Sequence, residues 1–174
     1  MARPGSECDD GRIGSGAGRR SALLLAVAVA ALALGTLVYL TDRAPGHAVL
    51  VPHLAGFAAK PIFGAAGAWL PSFVHPLAFA LLTAAVLPAT STWRYGGCAA
   101  WGAVNVAFEL GQHAALKATW LALTERGAVP VPVARYFIHG TFDVADLVAA
   151  VAGALAAVAC LRYLDRFKEN EHAR

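Results

Sequence analysis

Four long apolar segments, each rich in Ala, Leu and Val, are separated along the chain by polar or proline-rich stretches. None of them alternates apolar and polar positions as a half-buried strand does, so the pattern favours helices over barrel strands. Each segment approaches the roughly 20 residues that an α-helix needs to cross a bilayer. The predicted helices cover residues 21–40, 72–88, 97–116 and 144–164.

Two connections interrupt this pattern. The segment Ala44–Pro71 is apolar but broken by prolines and glycines, which is typical of an interfacial or re-entrant segment. The connection Trp120–Phe142 is expected to be non-helical at its middle because of Pro130 and Pro132. The predicted fold is therefore an all-α, polytopic membrane helix bundle with four transmembrane helices, or five if the first connection also crosses.

The two ends of the chain carry most of the remaining charge. Residues 1–18 are rich in Gly, Ser and charge and are predicted to form a disordered cytoplasmic tail. Residues 19–165 form the predicted bundle, and residues 166–174 a second cytoplasmic tail. The apolar run after Arg20 is longer than a secretory signal core of about 7–15 residues, so we interpret it as a retained anchor.

Composition agrees with a membrane location. The chain is 58% hydrophobic and 14% charged, whereas soluble domains carry roughly 25% charge. A disordered chain, a disulfide scaffold and a water-soluble domain are thereby excluded. The cysteines, Cys8, Cys98 and Cys160, lie too far apart for a Cys-x-x-Cys metal site, and we predict neither a metal nor a cofactor.

The net charge of +3 is interpreted as cytoplasmic anchoring charge, with no nucleic-acid partner. With both termini inside, the cytoplasmic side holds nine basic residues: Arg3, Arg12, Arg19, Arg20, Arg94, Arg162, Arg166, Lys168 and Arg174. The outer side holds five: Arg43, Lys60, Lys117, Arg126 and Arg135. This bias predicts a multi-pass protein of the bacterial inner membrane with both termini cytoplasmic.

Glu109 is the clearest polar residue inside an apolar segment. An ionisable group at the centre of a transmembrane helix costs about 2.5–3.5 kcal/mol, so it is a functional candidate by default. Gln112 and His113 follow at i+3 and i+4, which places them on the same helical face, and Asn105 extends that stripe inward.

A second polar cluster, His139, Asp143 and Asp146, opens the last apolar segment. If the helix starts early, its spacing aligns all three residues on one face. If it starts at Asp143, that residue is an N-cap and Asp146 lies in the first turn. His75 begins the second segment, and the alternating direction of the helices brings all these residues to the outer leaflet.

Three functions are compatible with such a cluster. It could recognise a lipid or glycan headgroup, with Arg135 or Lys117 pairing a phosphate. It could instead be a hydrogen-bond network that only holds the helices together. Thirdly, Glu109 with His113 could bind a metal, or a carboxylate could act as a base, in an intramembrane enzyme. Recognition and structure are both favoured over catalysis.

The chain resembles the VanZ-like family of small bacterial membrane proteins over roughly residues 72–164. The resemblance rests on the segment beginning at His75, the Glu-x-x-Gln pair Glu109 and Gln112, and the Asp-x-x-Asp turn of Asp143 and Asp146 before Gly153. It departs from the family where an Arg commonly precedes that turn and an Asn follows it.

The resemblance implies a cell-envelope role, since the founding members are accessories to glycopeptide resistance without an agreed mechanism. The predicted ligand-binding residues are Glu109, Gln112, Asp143, Asp146, His75 and His113. The predicted partners are membrane lipids and an envelope lipid or glycan intermediate. Association through helices with a second copy or another membrane protein is also open.

Overall fold

The computed structural model describes residues 11–42, 61–87 and 90–172 of the chain. Within these ranges the backbone forms six α-helices and one 3₁₀ turn, and no strand. The elements are α1 (Gly11–Asp42), α2 (Ala65–Val86), α3 (Ser91–Gly111), the 3₁₀ turn (Ala114–Leu116), α4 (Lys117–Glu125), α5 (Val131–His139) and α6 (Val144–His172).

The four long helices α1, α2, α3 and α6 form a bundle with α2 at its centre. α2 packs against α1, α3 and α6, and α3 also packs against α6. The short helices α4 and α5 pack against each other, and Trp120 of α4 donates a hydrogen bond to the carbonyl of Gly111 at the end of α3. The two short helices therefore lie at one end of the bundle.

Contacts along the helices give their relative directions. Gly35 lies against Val74, which is 3.2 Å from the position a Cβ would take at Gly35. Since Asp42 lies against Gly67, α1 and α2 are antiparallel. Ser72 of α2 donates to Asp146 of α6, and Gly153 lies against Phe73, so α2 and α6 are parallel.

These directions define two ends of the bundle. The acidic end holds the last residues of α1 and α3, the first residues of α2 and α6, and the short helices α4 and α5. The arginine end holds the first residues of α1 and α3 and the last residues of α2 and α6. Glu109, Asp143 and Asp146 belong to the acidic end, whereas Arg20 and Arg94 belong to the arginine end.

Small side chains let the helices approach closely. The central core contains Ala28, Ala78, Ala80 and Ala157, all fully buried. A Cβ placed on Gly153 would collide with the backbone carbonyl oxygen of Phe73. Gly153 is therefore buried where α6 packs against α2, and Ala157, one turn later on α6, is buried in the central core.

The helix boundaries differ from the apolar segments that predict them. α1 begins at Gly11 rather than at residue 21, so the part of the predicted tail from Gly11 onward is helical; residues 1–10 lie outside the described ranges. α2 begins at Ala65 and contains Pro71 within the helix. Hydropathy marks only the apolar part of a helix, and polar or proline-containing turns that continue it are missed.

The end of α3 also differs from prediction, whereas the middle of the following connection agrees with it. α3 ends at Gly111, five residues before the predicted boundary, where the ring of Phe137 covers the glycine. The connection Trp120–Phe142 is non-helical near its middle, at residues 126–130, as predicted, and it is helical on both sides of these residues, in α4 and α5. Pro130 precedes α5 and Pro132 occupies its first turn, where a helix needs no N–H donor, so these prolines start a helix rather than prevent one.

Three helices in the described ranges are long and apolar enough to cross a membrane: Gly18–Asp42, Ala65–Val86 and Val144–Arg166. α3 has 21 residues and is long enough to cross, but it is not apolar enough to be one of these three. Most of the predicted interfacial or re-entrant segment lies outside the described residues.

Candidate functional site

Glu109 lies in the last turn of α3, at the acidic end. Its Oε2 atom is buried and has no hydrogen-bond partner among the described residues. The negative charges of Asp146 and, more weakly, Asp143 act on it. The last turn of α3 has no basic residue, and the negative end of a helix dipole disfavours a carboxylate there. Three unfavourable influences therefore meet at one carboxyl group.

Asp143 and Asp146 hold different positions at the start of α6. Because α6 begins at Val144, Asp143 is the residue before its first turn, and its Oδ1 accepts a 2.8 Å hydrogen bond from the N–H of Ala145. The N-cap interpretation of Asp143 is thus the one that the structure supports. Asp146 lies in the first turn and accepts a 2.9 Å hydrogen bond from Ser72 of α2.

Gln112 is the most buried polar residue of the acidic end, with 8% of its surface exposed. Its Nε2 donates a 3.2 Å hydrogen bond to the hydroxyl of Tyr136 on α5. Its side chain also lies against Gly140, where an added Cβ would collide with the amide oxygen. Gln112 thereby joins the end of α3 to the turn that leads into α6.

Tyr136 is a polar neighbour of Glu109 that is not among the predicted ligand-binding residues. Partial burial, together with the negative charge of Glu109, raises the pKa of the Tyr136 phenol. The protonated hydroxyl can donate its own hydrogen while it accepts the one from Gln112. Tyr136 lies on α5, and no spacing rule in the sequence predicts which helix end α5 covers.

The three histidines occupy other surroundings. His75 lies between the rings of Tyr39 and Phe79, with centroids 6.4 and 6.1 Å away. His113 lies beyond the end of α3, so the predicted i+4 alignment with Glu109 is wrong, and its Nδ1 accepts a 3.3 Å hydrogen bond from Ala115. His139 ends α5 and therefore does not share a helix with Asp143.

Asn105 lies on α3 one turn before Glu109, as predicted. Its Nδ2 donates a 2.9 Å hydrogen bond to the carbonyl of Trp101 on its own helix. Such a bond satisfies the amide locally, as polar side chains within helices often do.

Two further polar groups at the acidic end were not singled out from the sequence. Ser72 bonds Asp146 across the contact of α2 and α6. Asp42 accepts 2.9 Å hydrogen bonds from the N–H groups of Ile62 and Phe63. These two residues lie just before α2. The serine has no sequence signal, because its partner lies 74 residues away.

The residues that the structure describes do not provide a set of metal ligands. No group of three or more His, Cys, Asp or Glu side chains there could hold a metal ion. Glu109 and His113, the predicted pair, are separated by the end of α3. The two described cysteines, Cys98 and Cys160, are free thiols.

The acidic end is thus a set of carboxylates and amides at the end of an all-helical bundle. With three helices of spanning length in the described ranges, the chain is a membrane protein. Comparisons with protein-family models, with curated proteins and with solved structures find no match to it.

Proposed function

We propose that the protein recognises an envelope lipid or glycan headgroup that offers hydrogen-bond donors, and binds it at the acidic end. The buried Oε2 of Glu109 carries the proposal, since it has no partner among the described residues. An unsatisfied buried acceptor lowers the stability of the folded protein by roughly 1–3 kcal/mol. A ligand that donates a hydrogen bond to Glu109 therefore stabilises this site.

The charges around Glu109 favour one kind of ligand. Asp146 and Asp143 add negative charge, so hydroxyl or ammonium groups are favoured over phosphate as the group that contacts Glu109. Sugar hydroxyls and amine headgroups provide such donors. The hydroxyl of Tyr136 and the amide of Gln112 supply further polar contacts at the same end.

The membrane topology that goes with this proposal has four crossings. α3 has 21 residues, about 31 Å at 1.5 Å per residue, which matches the thickness of the hydrocarbon core. It packs against both α2 and α6. Together with the basic-residue bias, this topology orients the acidic end outward from a bacterial inner membrane, with both termini cytoplasmic. The short-motif resemblance to the VanZ-like family agrees with an envelope role.

The experiment compares wild-type protein with Glu109→Gln in detergent, using native mass spectrometry. The probes are a polyprenyl-linked disaccharide, phosphatidylethanolamine and phosphatidylcholine. We expect the first or second probe to bind in preference to phosphatidylcholine. Glu109→Gln should weaken that binding about ten- to a hundredfold, because hydrogen bonds to charged groups contribute about 1.5–3 kcal/mol.

Glu125→Gln is the matched control, since Glu125 is an exposed glutamate at the end of α4. It should bind the probe as wild type does. Equal binding by wild type and Glu109→Gln would contradict the proposal.

A purely structural network is the second candidate, favoured by two hydrogen bonds between different helices or connections. These are Ser72 to Asp146 and Gln112 to Tyr136. In that case Glu109→Gln lowers or raises the unfolding temperature while no probe binds selectively to either variant. Thermal unfolding in the same detergent, with and without the probes, separates the two candidates.

A further inference from the structure

A second charged cluster lies at the arginine end, built from three helices. Arg20 of α1 pairs with Asp165 of α6 at 2.6 Å, from Nη1 to Oδ1. The Nη1 of Arg94, on α3, lies 4.0 Å from the same oxygen. Tyr95 donates a 3.3 Å hydrogen bond to the other carboxylate oxygen, Oδ2. We call these four residues the arginine cluster.

The arginine cluster has more positive charge than its one carboxylate can balance. Two guanidinium groups converge on Asp165, and the charge of Arg20 repels that of Arg94. The side chain of Arg94 is only 8% exposed and that of Arg20 only 15%. Like charges held this close, with little water around them, favour an added anion.

Several of its hydrogen-bond donors are also unsatisfied. The Nε of Arg94, and the Nε and Nη2 of Arg20, are buried and have no hydrogen-bond partner among the described residues. A guanidinium presents its N–H groups in a planar fork that fits two oxygens of one tetrahedral anion. Phosphate, with several oxygens around one centre, can accept from both arginines.

The position of the arginine cluster indicates where that phosphate comes from. Arg20 is close to the first residue of the apolar stretch Gly18–Asp42, and Asp165 is next to the last residue of Val144–Arg166. The cluster therefore lies at the boundary between the hydrocarbon core and the headgroups. Arg19, Arg162 and Arg166 are exposed at the same end and add positive charge around it.

We infer that the arginine cluster binds the phosphate group of an anionic phospholipid, held between α1, α3 and α6. This site is separate from the acidic end, and its occupancy does not depend on the function proposed there. The phosphate shares the two guanidinium groups with Asp165 and accepts from donors that are otherwise buried without a partner. Basic sites between helices at headgroup depth bind anionic lipids in this way.

The test uses native mass spectrometry of the full chain in detergent, with phosphatidylglycerol and phosphatidylcholine of identical acyl chains. We expect wild-type protein to retain phosphatidylglycerol in preference to phosphatidylcholine. Excess inorganic phosphate is the competing arm. If it displaces the lipid completely at low concentration, the cluster binds free phosphate and the lipid assignment is wrong. Equal retention of both lipids overturns the proposal entirely.

Arg94→Gln should weaken phosphatidylglycerol binding about tenfold, because it removes a buried charged donor. Arg166→Gln is the matched control and removes the same charge from an exposed position on α6. In moderate salt it should change binding about twofold or less, since exposed charges are screened. Equal losses in the two variants would mean that surface charge alone attracts the lipid, and would overturn the site.

Asp165→Asn keeps the proposal falsifiable if Arg94→Gln does not fold. With the carboxylate removed, a phosphate takes its place between the arginines, so phosphatidylglycerol should bind more tightly and raise the unfolding temperature more than in wild type. A cluster that only pairs helices predicts the opposite. In that case Asp165→Asn lowers the unfolding temperature, and phosphatidylglycerol restores none of the loss.

Discussion

Trp120 connects the short helices of the acidic end to the bundle through two different interactions. Its Nε1 donates a 2.8 Å hydrogen bond to the carbonyl of Gly111, and its ring stacks on Phe137 with centroids 4.3 Å apart. The bond satisfies one of the carbonyls that a helix leaves unpaired at its end. A single side chain thereby closes α3 and holds α5 beside Gln112.

Replacing Trp120 with Phe should keep the stacking and remove the hydrogen bond. We expect the free energy of unfolding to fall by about 1 kcal/mol, the usual contribution of one such bond. Trp120→Ala should cost about 3 kcal/mol, because the ring contact is lost as well. Thermal or denaturant unfolding in detergent measures both.

The control for this prediction is Trp93→Phe, at a residue that is 63% exposed on α3. It should leave the unfolding free energy nearly unchanged. If Trp93→Phe and Trp120→Phe have equal effects, the hydrogen bond to Gly111 does not contribute to stability.

The helices themselves show which features a sequence can predict. The start of α6 at Val144 agrees with the expected boundary, because Asp143 provides a local N-cap signal. The predicted end of α3, residue 116, lies beyond the observed end at Gly111, because Phe137 and Trp120 cover this glycine from later elements of the chain. Local capping is encoded within a few residues, whereas a boundary set by tertiary packing is not.

α6 packs closely against α2 because Gly153 has no side chain. Gly153→Ala would place a methyl group against the backbone carbonyl of Phe73, which cannot move as a flexible side chain does. We expect a loss of about 1–3 kcal/mol in unfolding free energy, as for other overpacked sites. Thermal unfolding in detergent is again the measurement.

Gly96→Ala is the matched control on α3, since nothing lies within 4 Å of the added Cβ. It should be neutral or stabilise the protein by up to about 1 kcal/mol through higher helix propensity. Gly153→Ala that is as stable as Gly96→Ala would show that the two helices are less closely packed than described.

For the whole molecule, the alternation of helix directions was the most useful prediction. It brought Glu109, Asp143 and Asp146 to one end from positions up to 37 residues apart in the sequence, and the structure has them at that end. The sequence predicts less well which residues form the site. No sequence pattern marks Ser72 or Tyr136, and the predicted alignment of His113 with Glu109 is wrong because α3 ends before residue 113.

Single cysteines test the four-crossing topology in intact cells with a membrane-impermeant maleimide. Starting from a chain without Cys8, Cys98 and Cys160, we expect Arg126→Cys to react from outside. Trp93→Cys and Arg162→Cys should react only after permeabilisation, because α3 separates residue 93 from residue 126.

Labelling at the same three positions also distinguishes the two ways in which this topology could be wrong. Reaction of residues 93 and 126 from one side would mean that α3 does not cross. If residue 162 reacts from outside and residue 126 is protected, the orientation is the reverse of the one proposed, and the number of crossings can still be four. Labelling of the denatured protein controls for reactivity at each position.

The parallel contact between α2 and α6 has a consequence for how the protein is made. Ser72 meets Asp146 across 74 residues of chain, so this contact forms only after α6 has left the ribosome and entered the bilayer. Until then the side of α2 that packs against α6 in the folded protein has no helix against it.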